Sequence, residues 1–129
     1  MSLNNIAVDG CTLEFQNGGS PNTAISINPN QMSSKVKADG KAVYKTLKFT
    51  ISGYTGQDIT VTGSGSGDGE IITTAEHTKV EGNFVLLEGD ESATIKITGL
   101  KPSGSSTTTA YAYEVVKITS AGQNKVKGA

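Results

Sequence analysis

The sequence predicts an all-β fold: one small domain, residues 1–129, of short antiparallel hairpins with internal pseudo-repeats. Three observations predict it. Several segments alternate apolar and polar residues, which is the period of a half-buried strand. Threonine and valine, which favour pleated backbone, are abundant in these segments. No segment of the sequence sustains the 3.6-residue apolar spacing that an amphipathic helix would need.

Four segments carry the clearest strand pattern. Residues 47–52 alternate apolar and polar side chains, and residues 59–62 and 93–98 do the same. The longest such run is residues 110–119. Together with the repeats described below, these segments predict a core of Val36, Val43, Phe49, Ile51, Val80, Val85, Leu87, Ile95, Ile97, Val115 and Ile118.

The segments between the strands are rich in glycine, proline, asparagine and serine. Residues 17–22 and 28–30 predict turns. Residues 63–69, Gly-Ser-Gly-Ser-Gly-Asp-Gly, predict a flexible connection with almost no side chain to bury, and residues 101–106 predict an exposed loop. Because the strand pattern is the same on both sides of each loop, none of them predicts a domain boundary.

A short phrase recurs along the chain: an apolar residue, an acidic residue, a glycine, then another apolar stretch. Its copies lie in residues 7–13, 36–44 and 80–87, with a truncated echo at 125–128. Asp-Gly between alternating strands is a strong hairpin signal, because glycine accepts the positive φ that such turns need. Catalytic centres rarely repeat within one chain, so the repetition favours a structural or binding role.

A finer repeat accompanies these corners. A hydroxyl or amide residue, a lysine and a valine occur in that order at residues 34–36, 78–80 and 124–126. Neighbouring residues of a strand face opposite sides. The valines are therefore predicted to lie inside and the lysines outside: Val36, Val80 and Val126 inside, Lys35, Lys79 and Lys125 outside. The alternative is a chance recurrence in a chain rich in lysine, valine and threonine.

Composition limits the classes of partner. Hydrophobic residues make up 35% of the chain and aromatic residues 5%, which fits a thin or elongated β-structure better than a wide globule. The formal net charge of -1 provides no basic field for nucleic acid or anionic lipid. The first residues lack the basic start and apolar stretch of a signal peptide. We therefore expect synthesis in the cytoplasm, followed by assembly or by export through a route that needs no signal.

The sequence predicts no catalytic residue, no cofactor and no metal ligand. The glycine-rich stretch 63–69 is not followed by Gly-Lys-Ser/Thr, as a phosphate-binding loop would be. A structural zinc needs about four ligands, whereas His77 is the only histidine and Cys11 the only cysteine. A small hydrolase built on these two residues is the enzymatic alternative. Oxygen ligands for calcium are conceivable, but their spacing matches no established calcium loop: Asp58, Asp68, Glu70 and the cluster 88–91.

Residues 33–90 carry a resemblance to a known family. Residues 36–43 follow the phrase Val-x-x-Asn/Asp-Gly-Lys-Pro-Val, and residues 80–90 follow an apolar stretch that ends in Gly-Asp. Both phrases resemble the PAAR and PAAR-like spike-tip proteins. That family caps the membrane-puncturing spike of type VI secretion systems, contractile phage tails and related contractile injection systems.

The resemblance implies a non-enzymatic structural protein that caps a trimeric, VgrG-like spike and aids membrane puncture. Effector cargo is a further implied partner, the target membrane is touched only transiently, and the assembled tip is delivered outside the cell. The chain departs from the family in three ways. The Pro-Ala-Ala-Arg signature is absent, Ala42 replaces the proline, and the histidine-rich metal point cannot form. An apex would therefore be held by packing and hydrogen bonds, or by a different ion.

A second architecture fits the same strand pattern. The long strand at residues 107–119 and the glycine- and serine-rich loops also suit an immunoglobulin-like β-sandwich. The corresponding function is decoration of a virion or capsid, or a place beside a phage tail, with many copies per particle.

Overall fold

The computed structural model describes residues 3–129, and these residues are almost entirely strands and turns, as predicted. One short 3₁₀ helix spans Asn22–Ala24. The strands are, in chain order, β1 (Asn4–Asn5), β2 (Thr12–Phe15), β3 (Ile25–Ile27), β4 (Met32–Ala38), β5 (Lys41–Tyr44), β6 (Lys48–Tyr54), β7 (Gly65–Ile72), β8 (Lys79–Val80), β9 (Asn83–Phe84), β10 (Glu91–Ser92), β11 (Ile95–Ser103), β12 (Ser106–Glu114), β13 (Val116–Ser120) and β14 (Lys127–Gly128).

Eight of these strands form one antiparallel sheet. One half runs β3–β6–β7–β11–β12, and the other half runs β7–β10–β13–β2, so that β7 belongs to both. The chain passes from β10 to β11 and from β12 to β13 with only short breaks. The pairing of β7 with strands of both halves makes them one eight-stranded sheet, whereas an immunoglobulin-like sandwich has two separate sheets.

The sheet curls around a single large core. The rings of Phe15 on β2 and Tyr54 on β6 meet edge to face, with centroids 5.0 Å apart. The Asn22 Oδ1 atom accepts a hydrogen bond from the Phe15 amide at 3.1 Å. These contacts bring an edge strand and an interior strand together, and the inward side chains of both halves fill the space between them.

Strand β7 corrects the prediction that residues 63–69 are a flexible connection. Three of its inward positions are glycines, and each faces a large inward side chain of β6 in the strand register: Gly69 faces Phe49, Gly67 faces Ile51 and Gly65 faces Tyr54. The fourth inward residue is Ile71. A Cβ added at Gly69 would lie 2.6 Å from Ile95 and 2.9 Å from Phe49. The glycines are therefore strand residues whose missing side chains make room for their neighbours.

The predicted secondary structure of two other segments is also wrong. Residues 59–62 are not a strand: Ile59 forms an isolated bridge with Gly56, and a turn follows. Residues 101–106 are not a loop, because β11 and β12 continue to a two-residue turn at 104–105. Strand 47–52 corresponds to β6, and strand 93–98 to the beginning of β11.

The predicted core residues are buried except Val36 and Val115. Along β12 and β13 the inward residues are the even-numbered ones, so Val116 is fully buried and Val115 only half-buried. Val115 lies at the break between these two strands. A run of alternating residues defines two faces, and the sequence pattern alone assigned Val115 to the wrong one.

A second, smaller core lies beside the large one, and we call it the satellite core. The N-terminal segment crosses it, with Val8 bridged to Val43 and Ile6 bridged to Leu87. Both chain ends are tied there, because β1 pairs with β14. Its buried members are Ile6, Val8, Ala38, Val43, Ala75, Val80, Val85 and Leu87.

Two glycine substitutions on the same strand test the packing of β7. We expect Gly69→Ala to lower the free energy of unfolding by about 1–3 kcal/mol, because its methyl group overlaps Ile95 and Phe49. Gly67→Ala is the matched control. Its Cβ would lie 3.4 Å from the nearest atom, so stability should stay within about 1 kcal/mol or rise. Chemical denaturation of both variants makes the comparison, and equal effects would contradict the packing role of Gly69.

Candidate assembly surface

Two of the predicted corners are tight hairpin turns. Asp39-Gly40 joins β4 to β5 and Glu81-Gly82 joins β8 to β9, with Ala38 paired to Lys41 and Val80 paired to Asn83. Both central residues of each turn have positive φ, 53° and 76° in the first and 50° and 83° in the second. This is the type I′ geometry that matches the twist of the flanking strands.

The first predicted corner, at Asp9-Gly10, has a different type of turn. The structure also contains a fourth corner, at Glu88-Gly89. At Asp9-Gly10 only the glycine has positive φ, and the Cys11 amide donates to the Val8 carbonyl at 2.9 Å. Glu88-Gly89 repeats this arrangement, with the Asp90 amide donating to the Leu87 carbonyl at 3.0 Å. Both match a type II turn. The sequence reading missed the fourth corner, although it has the same apolar-acid-glycine phrase.

The four corners share one packing rule. In each, the residue before the acid is buried in the satellite core, whereas the glycine is exposed. The buried residues are Val8, Ala38, Val80 and Leu87. Since the corners come from three separate parts of the chain, around residues 9, 39 and 81–89, the satellite core is what gathers them at one place in the fold.

The inside and outside positions predicted from the lysine–valine repeat are confirmed for the three lysines and for one of the three valines. Lys35, Lys79 and Lys125 are exposed, and Val80 is buried. Val36 and Val126, in contrast, are 37% and 38% exposed.

The misplacement of Val36 comes from an irregularity in β4. The pairing of β4 with β5 shifts between Met32 and Lys37. In this interval the Ser33 hydroxyl accepts hydrogen bonds from the Lys35 and Val36 amides, at 3.1 and 3.0 Å. The strand therefore loses strict alternation, and Ala38 takes the inside position expected for Val36.

Charged side chains bind the C-terminal segment across the corners. The Lys125 ammonium lies 3.6 Å from the Asp39 carboxylate. The Lys41 ammonium donates to the Gly122 carbonyl at 2.7 Å, and the Glu88 carboxylate accepts from the Ala121 amide at 2.9 Å. These contacts hold residues 121–125 against the first type I′ turn, the start of β5 and the Glu88-Gly89 turn.

The carboxylates considered as calcium ligands do not converge on one point, as the ligands of a metal ion would. Asp90 is buried and accepts from the Leu87 amide at 2.8 Å and from the Thr74 hydroxyl at 2.5 Å. Asp68 and Glu70 lie on the outer face of β7, and Asp58 is exposed beyond β6. Within residues 3–129 no group of three or more His, Cys, Asp or Glu side chains is placed to hold a metal ion.

His77 and Cys11 lie in different surroundings. The His77 amide donates to the carbonyl of Ala129 at 2.8 Å. Cys11 packs against the large core as a half-buried residue. Burial, with a smaller contribution from the negative charge of Asp9, raises the pKa of the Cys11 thiol to about 11. The thiol is therefore protonated at neutral pH and is a weak nucleophile.

The sequence reading missed a buried acid. Glu114 is fully buried, and its carboxylate accepts from the Tyr54 hydroxyl at 2.5 Å and from the Asn17 amide at 2.8 Å. Burial, this hydrogen bond and the negative charge of Glu114 raise the pKa of Tyr54. Two donors stabilise the carboxylate that burial would otherwise penalise.

A signal for Glu114 was present in the sequence. Ala110, Ala112 and Val116 are the inward residues around it, so the two-residue period of the strand places Glu114 inside. Its partner Tyr54 reaches inward because Gly53, with φ of 85°, forms a bulge in β6. A bulge of this kind redirects the following side chain to the other face.

The β11–β12 hairpin projects beyond both cores. Every residue from 101 to 109 is exposed, so neither face of this part packs on the molecule. The strands remain paired to the end, with Ser103 opposite Ser106. The turn has a glycine with φ of 62° in its first central position, as in a type II′ turn. We call residues 101–109 the arm.

Comparison with known proteins adds no relative. The chain matches no protein-family model, no curated protein and no solved structure. Among the described residues, no helix is both long enough and apolar enough to cross a membrane.

Two substitutions at one corner test the satellite core. We expect Val80→Asp to lower the free energy of unfolding by about 3–5 kcal/mol, because a buried carboxylate would have no partner there. Lys79→Asp should cost under about 1 kcal/mol, since Lys79 is exposed and loses only its contact with the Phe84 ring, 4.7 Å from its ammonium. Thermal melts compare the two variants, and equal tolerance would contradict the assignment of Val80 to this core.

Stability should fall in alkaline solution. Burial raises the pKa of Cys11 from 9.0 to about 11 and the pKa of Tyr44 from 10.0 to about 12. Above pH 9 the unfolded chain therefore releases protons before the folded chain does, which favours unfolding as the pH rises toward 11. Urea denaturation across this range measures the effect. In Cys11→Ala the decline should begin at higher pH, and an unchanged onset would contradict the role of Cys11.

Proposed function

We propose that this chain is a non-enzymatic structural component of a contractile injection apparatus that caps the end of a trimeric, VgrG-like spike. The observation that carries the proposal concerns the two segments with the PAAR-like phrases, residues 36–43 and 80–90. They are separated in the sequence by residues 44–79, yet both contribute to one buried cluster. Together they contribute Ala38, Val43, Val80, Val85 and Leu87 to the satellite core.

A rigid end suits the mechanical role. The satellite core is closed by four turns and by both chain ends, since β1 pairs with β14 and the Ile6 amide donates to the Val126 carbonyl at 3.1 Å. The charged contacts to residues 121–125 fasten the same region. In this proposal the pairing of β1 with β14 and the charged contacts let the satellite core transmit an axial force without local opening.

The surface around the satellite core offers apolar contacts for a partner. Val36 and Val126, one third exposed or more, lie on segments that border this core. The corners themselves do not supply a threefold match to the spike, because there are four of them, two of each turn type. In this proposal the spike contacts the exposed valines, effector cargo is a second partner, and the target membrane is met only during puncture.

Binding to the spike tests the proposal. The chain should co-purify with the trimeric spike protein encoded beside it, at one copy per trimer. We expect Val36→Asp and Val126→Asp to weaken this binding by at least about tenfold while the melting temperature stays near that of the wild type, because both residues are exposed.

A matched control is available on the large sheet. Ile72 on β7 is 57% exposed and lies outside the satellite core, so Ile72→Asp should leave spike binding unchanged. A well-folded wild-type chain that binds no neighbouring spike protein would contradict the proposal. Equal losses in all three variants would contradict the assignment of the surface.

A second candidate function is decoration of a virion or a place beside a phage tail, in many copies. The arm favours it, because a paired hairpin with both faces in solvent is suited to reach a neighbouring subunit. Stoichiometry separates the two functions. One copy per particle supports the spike tip, and tens to hundreds of copies support decoration.

A further inference from the structure

The outer edge of β12 exposes unpaired backbone groups. Strand β12 is the last strand in its half of the sheet. In a two-residue hairpin the residues flanking the turn form a hydrogen-bonded pair, here Ser103 and Ser106, and such pairs alternate along an antiparallel ladder. The even-numbered residues of β12 therefore bond to β11. The N–H and C=O groups of the odd-numbered residues point away from the hairpin.

One contact within the chain agrees with this assignment. The Gln57 side chain accepts from the Tyr113 amide at 3.0 Å and donates to the Tyr113 carbonyl at 2.7 Å. It thereby occupies the outward groups of Tyr113 as a neighbouring strand would. The next outward residues toward the turn are Tyr111, Thr109 and Thr107.

The other edges of the sheet are short or covered. Strand β3 has three residues, and the Phe15 amide on β2 bonds to Asn22. Strand β11 is covered at Leu100, whose carbonyl accepts from the Thr60 and Val61 amides at 3.2 and 3.1 Å. Within the eight-stranded sheet, the β12 edge is thus the extended edge that the described residues leave open.

The composition of this edge favours pairing. Residues 106–113 are Ser-Thr-Thr-Thr-Ala-Tyr-Ala-Tyr, without a charge or a proline. Exposed edges usually carry lysine, proline or a bulge, which prevent pairing with another strand. Threonine and tyrosine instead stabilise cross-strand contacts. An uncharged strand also meets no like-charge repulsion when it pairs with an identical strand.

We propose that β12 pairs antiparallel, edge to edge, with β12 of a second copy of this chain. Since Tyr113 is already occupied by Gln57, the free outward residues are Thr107, Thr109 and Tyr111. The symmetric register that uses all of them places the twofold axis at Thr109. Thr109 then faces its own copy, and Thr107 faces Tyr111 of the other chain, each pair exchanging two hydrogen bonds.

This inference is independent of the proposed function, because no residue of the arm or of β12 belongs to the satellite core. A chain that pairs through β12 leaves the surface at Val36 and Val126 free. The pairing through β12 is tested by self-association, and the proposed function is tested by spike binding. Failure of either test therefore does not contradict the other proposal.

A backbone substitution tests the pairing. Sedimentation equilibrium of the full chain should show a concentration-dependent dimer. Thr109→Pro removes the central outward N–H, which bonds to nothing within the hairpin, and an edge strand tolerates proline at such a position. We expect an unchanged melting temperature and a dimer dissociation constant at least about tenfold higher. Thr109→Val keeps the N–H and the branched shape, and should remain dimeric.

Paired charges test the register. Thr109→Lys or Thr109→Glu alone places like charges opposite each other at the axis and should leave a monomer. An equimolar mixture of the two variants should form a heterodimer again. A wild-type chain that stays monomeric up to its solubility limit would overturn the inference. So would a dimer that Thr109→Pro leaves intact, or a mixture of charged variants that fails to associate.

Discussion

The large sheet depends on the close approach of side chains to the glycines of β7. Gly65, Gly67 and Gly69 each face a large side chain of β6, and Ile95 and Ile97 of β11 approach Gly69 and Gly67 from the other side. Two neighbouring strands thus place their large residues over the part of β7 whose inward positions carry no side chain. This arrangement buries Phe49, Ile51, Tyr54 and Ile97 fully in a chain with only 35% hydrophobic residues.

The buried Glu114 follows from the same geometry. The bulge at Gly53 turns Tyr54 inward, where its ring packs over Gly65 and its hydroxyl meets the Glu114 carboxylate. Gly19 completes the site, because a side chain at this position would overlap both partners. The turn that carries Asn17 is thereby held against the curled sheet. A carboxylate that is costly to bury alone connects three separate segments, which gives this part of the fold a specific arrangement.

The two cores and the arm position different parts of the molecular surface. The large core sets the curl of the sheet and the direction of the β11–β12 hairpin. The satellite core gathers four acid-glycine corners and both chain ends. Surfaces for different contacts therefore lie on different parts of the fold, the exposed valines at Val36 and Val126 beside the satellite core and the uncharged edge on β12.

The sequence by itself determined the all-β class, the β6 strand and the positions of two hairpin corners, because two-residue alternation and Asp-Gly or Glu-Gly turns are local signals. It also placed most of the core, including Val80 and Leu87. Only the tertiary structure decided that Gly65–Gly69 are strand residues, since their neighbours fill the space that the glycines leave. It likewise decided that Ala38 replaces Val36 inside, because the irregularity in β4 changes which face each residue occupies. The period of β12 indicated that Glu114 faces inward, but its partner Tyr54 lies 60 residues away and was set by the tertiary structure. Contacts between distant segments select among conformations that each segment allows, and a local pattern does not identify those contacts.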